Sequence, residues 1–166
     1  MRARIISKTT LLCIVIGLCS CDDKRIFDSY QSTTNSWHKD SIVQFNFTPP
    51  DTNNPYNLFV NLRTTHEYPY NNLYLITTLT FPHGKTLKDT LEYRMAAPNG
   101  ELLGTGFSDV KENKLWYKGH DQDFIFHEAG EYTLAIQHAM RSNGAVDGVM
   151  RLDGVTDLGF RIERRN

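Results

Sequence analysis

Leu73-Tyr74-Leu75-Ile76-Thr77-Thr78-Leu79-Thr80-Phe81 sets Leu73, Leu75, Leu79 and Phe81 on one side of an extended chain, with Tyr74, Ile76 and threonines on the other. A period of two is the period of a pleated strand, and threonine and aromatic side chains suit that surface. Pro82-His83-Gly84-Lys85 then reads as a turn, and Thr86 to Arg94 returns with Leu87, Leu91 and Tyr93 on one face. Two alternating runs around a short turn predict a β-hairpin.

The same alternation extends in both directions. Upstream, Val43, Phe45 and Phe47 alternate with Gln44 and Asn46 until Pro49-Pro50-Asp51 stops the run, and Tyr56 to Arg63 carries Leu58, Val60 and Leu62 on one face. Downstream, Pro98-Asn99-Gly100 is a turn, and Leu102-Leu103 followed by Gly104 and Gly106 suggests a short strand with a bulge or a close backbone approach. Leu115-Trp116-Tyr117 and Phe124-Ile125-Phe126 are short apolar runs between polar turns. Glu131 to Ala139 then alternates Tyr132, Leu134, Ile136 and His138 with Thr133, Ala135 and Gln137, and Val155 to Ile162 closes the pattern. Eight or nine short strands without a helix of three turns predict an all-β chain. The expected architecture is a single antiparallel β-sandwich over residues 41–166, jelly-roll-like or immunoglobulin-like, with a barrel as the alternative.

The N-terminus has a different logic. Arg2, Arg4 and Lys8 precede an uncharged run from Thr9 to Leu18, and Leu18-Cys19-Ser20-Cys21 follows. That is the layout of a secretory signal, and its apolar part is far shorter than the ~20 residues a membrane-spanning helix needs. A cysteine directly after Leu-x-Ser resembles the bacterial lipobox, in which the cysteine is acylated and becomes the new N-terminus. Residues 1–20 are thus expected to be a cleaved lipoprotein signal peptide, with diacylglyceryl and acyl groups on Cys21 holding the protein to a membrane. The only other cysteines, Cys13 and Cys19, fall inside the signal, so the mature domain has no partner for an internal disulfide.

Removing the signal leaves 146 residues, enough for one core. Fifteen basic residues then face nineteen acidic ones, a net charge of −4, and no basic run points to nucleic acid. Residues 21–40 are polar with scattered Ile26, Phe27, Tyr30 and Trp37, and read as a lipidated tether that docks along the domain. A flexible chain of ~20 residues has an r.m.s. span near 25 Å. The acidic pair Asp22-Asp23 behind Cys21 suits either display at the cell surface or a plain polar spacer.

Few residue patterns suggest chemistry. His120-Asp121-Gln122-Asp123 with His127 has metal-ligating side chains but no established spacing. Gly104-Thr105-Gly106-Phe107-Ser108-Asp109 has Asp109 where a dinucleotide loop needs its third glycine, and Ser108 is in no nucleophile elbow. The expectation is a protein that is not an enzyme and uses no metal or cofactor. Trp37, Tyr68, Tyr70, Trp116 and Tyr117 lie in loops or short runs, and are the candidates for an exposed interaction surface, whether for a protein partner or for stacking on sugar rings. The alternative is that they close the ends of the sandwich.

Several segments carry a resemblance along the whole mature chain. Ser36-Trp37-His38-Lys39-Asp40, Pro55-Tyr56-Asn57-Leu58-Phe59-Val60-Asn61-Leu62-Arg63 and Tyr68-Pro69-Tyr70-Asn71-Asn72-Leu73 are among them. Asp89-Thr90-Leu91-Glu92-Tyr93, Leu103-Gly104-Thr105-Gly106, Gly130-Glu131-Tyr132, His138-Ala139-Met140-Arg141 and Val155-Thr156-Asp157-Leu158-Gly159 follow in order. In order and spacing they resemble the GldH family of gliding-motility lipoproteins of the Bacteroidetes. The resemblance implies an envelope lipoprotein, outer-membrane anchored, that works with other envelope proteins of a motility apparatus tied to type IX secretion. Only the lipidated position maps residue by residue, onto Cys21. A surface glycan-binding lipoprotein is the alternative function, and a hydrolase the third.

Overall fold

The computed structural model describes residues 22–106, 109–142 and 144–165; the expected signal peptide and Cys21 lie outside the described residues. Among the described residues eleven strands form: β1 (Arg25–Ser32), β2 (Ser36–His38), β3 (Val43–Phe47), β4 (Pro55–Thr64), β5 (Asn72–Thr80), β6 (Thr86–Arg94), β7 (Lys111–Lys118), β8 (Phe124–Ile125), β9 (Tyr132–His138), β10 (Arg151–Asp153) and β11 (Val155–Arg164). One sheet runs β1-β11-β4-β7, with β8 also on β4, and a second runs β3-β9-β5-β6. β2 and β10 make a separate two-stranded ribbon, and every pairing is antiparallel. The all-β sandwich is the fold, built as two distinct sheets rather than a closed barrel.

The alternation defines its core. Leu58, Val60 and Leu62 of β4 and Leu158, Phe160 and Ile162 of β11 meet Leu73, Leu75 and Leu79 of β5 and Leu134 and Ile136 of β9, all fully buried. Phe47 joins the layers. Its ring lies 5.1 Å from Phe160 of the first sheet and 5.7 Å from Tyr132 of its own, with Phe27 at 5.7 Å and Phe126 at 5.6 Å. Tilted and edge-on rings at such spacings add to simple burial.

The predicted hairpin is β5–β6, with Leu73 opposite Tyr93, Leu75 opposite Leu91 and Leu79 opposite Leu87. Its turn is closed by the Phe81 amide donating to the Lys85 carbonyl at 2.8 Å. Thr77 departs from the outward threonines: it shares the leucine face, is fully buried, and stands opposite Asp89. Asp89 in turn accepts from Lys118 at 3.0 Å and from the Tyr117 hydroxyl at 3.3 Å. An inward carboxylate on the edge strand β6 discourages another strand from pairing there. Gly104 fits the expected close approach: at φ +109° an added Cβ would lie 2.7 Å from the Glu112 carbonyl oxygen. The accompanying strand shrinks to isolated bridges between Ala96 and Leu102 and between Thr105 and Glu112.

The tether expected over residues 21–40 is corrected. From Arg25 the chain is β1, paired with β11 from Arg25 opposite Glu163 to Ser32 opposite Asp157, and it continues into β2. Phe27 packs into the core beside Phe47 and Phe160. The hydrophobic alternation that would announce this strand is absent because the positions after Phe27 on its inward face are Ser29 and Gln31, while Asp28 and Tyr30 on the outer face bind polar partners.

Candidate interaction surface

The strand directions give the sandwich two unlike ends. Asp22 to Arg25, the 81–85 turn and Arg164-Arg165 gather at one, termed proximal because Asp22 follows Cys21. The ribbon and the connections 65–71, 95–106, 109–110, 139–142 and 144–150 gather at the other, distal end.

Three of the five candidate aromatics are not on the surface. Trp37 is 1% exposed; its indole N–H donates to the Ser41 carbonyl at 2.8 Å, and its ring meets His138 edge-on at 5.3 Å. Tyr68 is buried with its hydroxyl donating to the Asn72 carbonyl at 2.7 Å, and Tyr117 is buried with its hydroxyl on Asp89. Burial, and secondarily Tyr70, raises the Tyr68 pKa, so the phenol stays neutral. These rings have polar tips, and a local acceptor for each tip removes the cost of burying it. Tyr70 is half-buried against Tyr68 at 6.0 Å. Trp116 is 40% exposed, but on the outer face of the first sheet, 4.3 Å from Phe59 and 4.8 Å from His120. The five do not share one surface.

The distal end instead presents residues the sequence reading passed over. Ile42, Leu103, Val146 and Met150 are exposed there, at 52%, 38%, 87% and 52%. With Trp116 they are the exposed large apolar side chains among the described residues. Ile42 stands between two open hollows of about 430 and 540 Å³. The first is lined by Ile76, Met140, Val149 and Arg141, the second by Thr34, Ser36 and Arg151. The available signal was the pair Ile42-Val43: in an extended chain two adjacent apolar residues cannot both face the core. His138 lies beneath the first hollow, its Nε2 on the Trp37 carbonyl at 3.1 Å and its Nδ1 buried without a partner. Burial lowers its pKa, opposed by the Trp37 carbonyl and aided by His38, so the ring is neutral at pH 7.

The outer face of the first sheet is a lattice of charge. Arg161 of β11 donates to Glu163 at 2.6 Å and Asp28 at 2.9 Å, and also binds Asp22. Lys114 donates to Glu163 at 2.6 Å and lies 4.0 Å over the Phe59 ring. Beside them the Tyr30 hydroxyl donates to Glu112 at 2.8 Å and accepts from Asn61 at 2.9 Å, while Arg63 donates to Glu112 at 2.8 Å and stacks 4.2 Å over the Tyr30 ring. Burial works against these charges, yet the partners win. Arg161 is raised by Glu163, Asp22 and Asp28, and Glu163 is lowered by Lys114 and Arg161. Glu112 is lowered by Arg63 and Tyr30, and Tyr30 is pushed up to about 12 by burial and Glu112. This face spends its charge internally, which fixes β1 to the sheet.

The residues with metal-ligating side chains do not converge. His120 pairs with exposed Asp121 at 3.2 Å, while Asp123 takes Arg165 at 3.0 Å. Among the described residues no three His, Cys, Asp or Glu side chains are grouped to hold a metal, and no helix is long and apolar enough to cross a membrane. Ser108 lies outside the described residues.

A family described as GldH lipoprotein matches residues 25–162, starting at the first residue of β1. The chain is 53% identical over 150 residues, 90% of each chain, to "Gliding motility lipoprotein GldH homolog" of Christiangramia forsetii. It is 49% identical over 163 residues, 98% of this chain and 99% of the relative, to "Gliding motility lipoprotein GldH" of Flavobacterium johnsoniae. Among solved structures, a family GH115 4-O-methyl-α-glucuronidase aligns over 88% of this chain and 18% of its own at 12% identity and a TM-score of 0.43, a likeness too distant to bear on function.

Proposed function

The chain belongs to the GldH lipoprotein family, and from that premise we propose that it is a non-catalytic interaction subunit of the cell envelope, serving gliding motility and the associated type IX secretion machinery. Acyl groups on Cys21 hold it, in this reading, to the outer membrane. The observation that supports an interaction role is the distal end, where Ile42 stands exposed between two hollows and Leu103, Val146 and Met150 add apolar surface. Exposed apolar side chains beside a pocket mark surface that a partner can bury, and a pocket is where a partner's aromatic or arginine anchor seats. The outer face of the first sheet is less available for charged contacts, since Arg63, Glu112, Lys114, Arg161, Asp28 and Glu163 are already paired there.

Glycan binding is weakened as a second reading. Any of Trp37, Trp116 or Tyr117 could offer a stacking face, and of the three only Trp116 is exposed, the other two being in the core.

The test is crosslinking and affinity purification of the native lipidated protein from its own membranes, beside Ile42→Glu and Cys21→Ala. The native protein is expected to bring motility or secretion proteins with it. Ile42→Glu should recover about 30-fold less at unchanged Tm, the effect of losing one interface anchor worth ~2 kcal/mol. Cys21→Ala should leave the membrane fraction. Equal recovery by Ile42→Glu overturns the distal surface, and recovery of bound glycan alone overturns the subunit role.

A further inference from the structure

We propose that the folded domain stands directly on the lipid headgroups, without a free tether, and that its proximal β1–β11 corner is a second membrane contact beyond the acyl chains. The proposal rests on the reading of Cys21 as the acylated residue.

The chain enters the fold one residue after that cysteine. Asp22 binds Arg161 through its carboxylate and accepts the Arg25 amide at its carbonyl at 3.1 Å. Lys24 accepts the Arg164 amide at 2.8 Å, and β1 begins at Arg25. Arg161 is no loose partner: Asp28 and Glu163 hold its other nitrogens, and Lys114 holds Glu163. The Arg161 bond also lowers the Asp22 pKa, so the carboxylate keeps its charge at neutral pH.

Consecutive Cα atoms are about 3.8 Å apart. One residue of slack therefore replaces the ~25 Å that twenty flexible residues would span. The acyl chains cannot enter a bilayer from so short a lead unless the corner carrying Asp22 touches the headgroups. The exposed cations at that corner are Lys24, Arg25 and Arg164, with exposed Asp23 beside them and Asp22 taken up by Arg161; the cations outnumber the one unpaired acid and suit the phosphate of a lipid headgroup. Asp51, Glu128 and Glu131 lie toward the second sheet, which confines the contact to the β1–β11 side. The strands run away from the corner, and the ten residues of β4 cover about 33 Å at 3.3 Å each. The Ile42 hollows are thereby held at a fixed height above the membrane.

Single-cysteine labelling measures this directly. In the mature protein Cys21 is the sole cysteine and is acylated, so Lys85→Cys (proximal turn) and Val146→Cys (distal loop) can each carry one donor dye. The lipidated protein is placed in phosphatidylethanolamine–phosphatidylglycerol nanodiscs with acceptor on the headgroups, and time-resolved energy transfer gives the distance distribution. The expected result is two narrow distributions separated by about 30 Å, the proximal label near the headgroup plane. A ten-residue Gly-Ser insertion between Cys21 and Asp22 should widen both by about 17 Å. Replacing Lys24, Arg25 and Arg164 together by Glu leaves the lead as short as before and should broaden both distributions, because the domain then tilts about the anchor without its headgroup contact. Membrane-retained native protein whose distributions match those of the insertion variant overturns the proposal alone. Native protein found in the soluble fraction overturns the anchor reading, and this proposal with it.

Discussion

Replacing Gly159 with Ala tests what fixes β1 to the sandwich. Gly159 sits mid-β11 opposite Tyr30, and a Cβ there would lie 2.6 Å from Cε1, 2.7 Å from Cδ1 and 3.0 Å from Cζ of the tyrosine ring. The methyl has no room unless the ring moves. Moving it breaks the Tyr30 hydroxyl's bond to Glu112 at 2.8 Å and its bond from Asn61 at 2.9 Å. A hydrogen bond to a charged acceptor contributes about 1.5–3 kcal/mol and a neutral one about 1. Against this, alanine in a strand recovers roughly 0.5–1 kcal/mol of the entropy cost of glycine. The net loss is about 2 kcal/mol, or about 6 °C in Tm for a domain of this size. Thermal unfolding followed by circular dichroism reads it. The decisive arm is the cycle with Tyr30→Ala, which removes the obstructing ring. In that background Gly159→Ala should cost nothing or raise Tm by about 2 °C. Equal losses in both backgrounds would falsify the ring contact as the cause.

Two further predictions concern the interior. Phe47→Ala should cost about 4 kcal/mol, since its ring meets four other aromatic rings across both sheets; an unfolding free energy from urea denaturation within about 1 kcal/mol of the native value would refute its role as the link between layers. His138 has a folded-state pKa below its ordinary 6.5, so it stays neutral in the fold while the unfolded chain takes up a proton. Its contribution is complete above pH 6.5 and is lost as pH falls toward the folded value, at up to ~1.4 kcal/mol per pH unit. Tm measured between about pH 7.5 and about 5.5 should fall less in His138→Gln than in the native protein, and parallel falls would remove the assignment.

The sequence reading succeeded where burial alone decides which way a side chain points. β3, β5, β6 and β9 each have one face in the core and one toward solvent, and their alternation is visible in Val43 to Phe47, Leu73 to Phe81, Leu87 to Tyr93 and Tyr132 to His138. β1 was not visible because Ser29 and Gln31 stand where its inward face needs apolar residues, and it is held instead by Asp28 and Tyr30 on the outer face, bound by Arg161, Glu112 and Asn61 from strands distant in sequence. No local pattern encodes such partners. The aromatic candidates failed for a related reason. Trp37, Tyr68 and Tyr117 look fit for a surface because each has a polar tip, yet the Ser41 carbonyl, the Asn72 carbonyl and Asp89 satisfy those tips inside the fold. Ile42 could have been found from its apolar neighbour Val43, but the second hollow beside it is walled by Ser36, His38 and Arg151 of the ribbon of β2 and β10, which carries only three residues per strand.

The pairing of β1 with β11 has a mechanical consequence. A partner pulling on the distal end and a bilayer gripping Cys21 would load β1 along its own length. The ladder hydrogen bonds of an antiparallel pair run perpendicular to the strands, so such a pull strains the seven matched positions from Arg25 to Ser32 in shear, all together. Peeling, which would break them one at a time, requires force across the strand. Arg161 binding Asp22 and Asp28 adds two ionic cross-links at the gripped end. Under the proposed anchorage at Cys21, the first strand of the fold is thus oriented to resist traction.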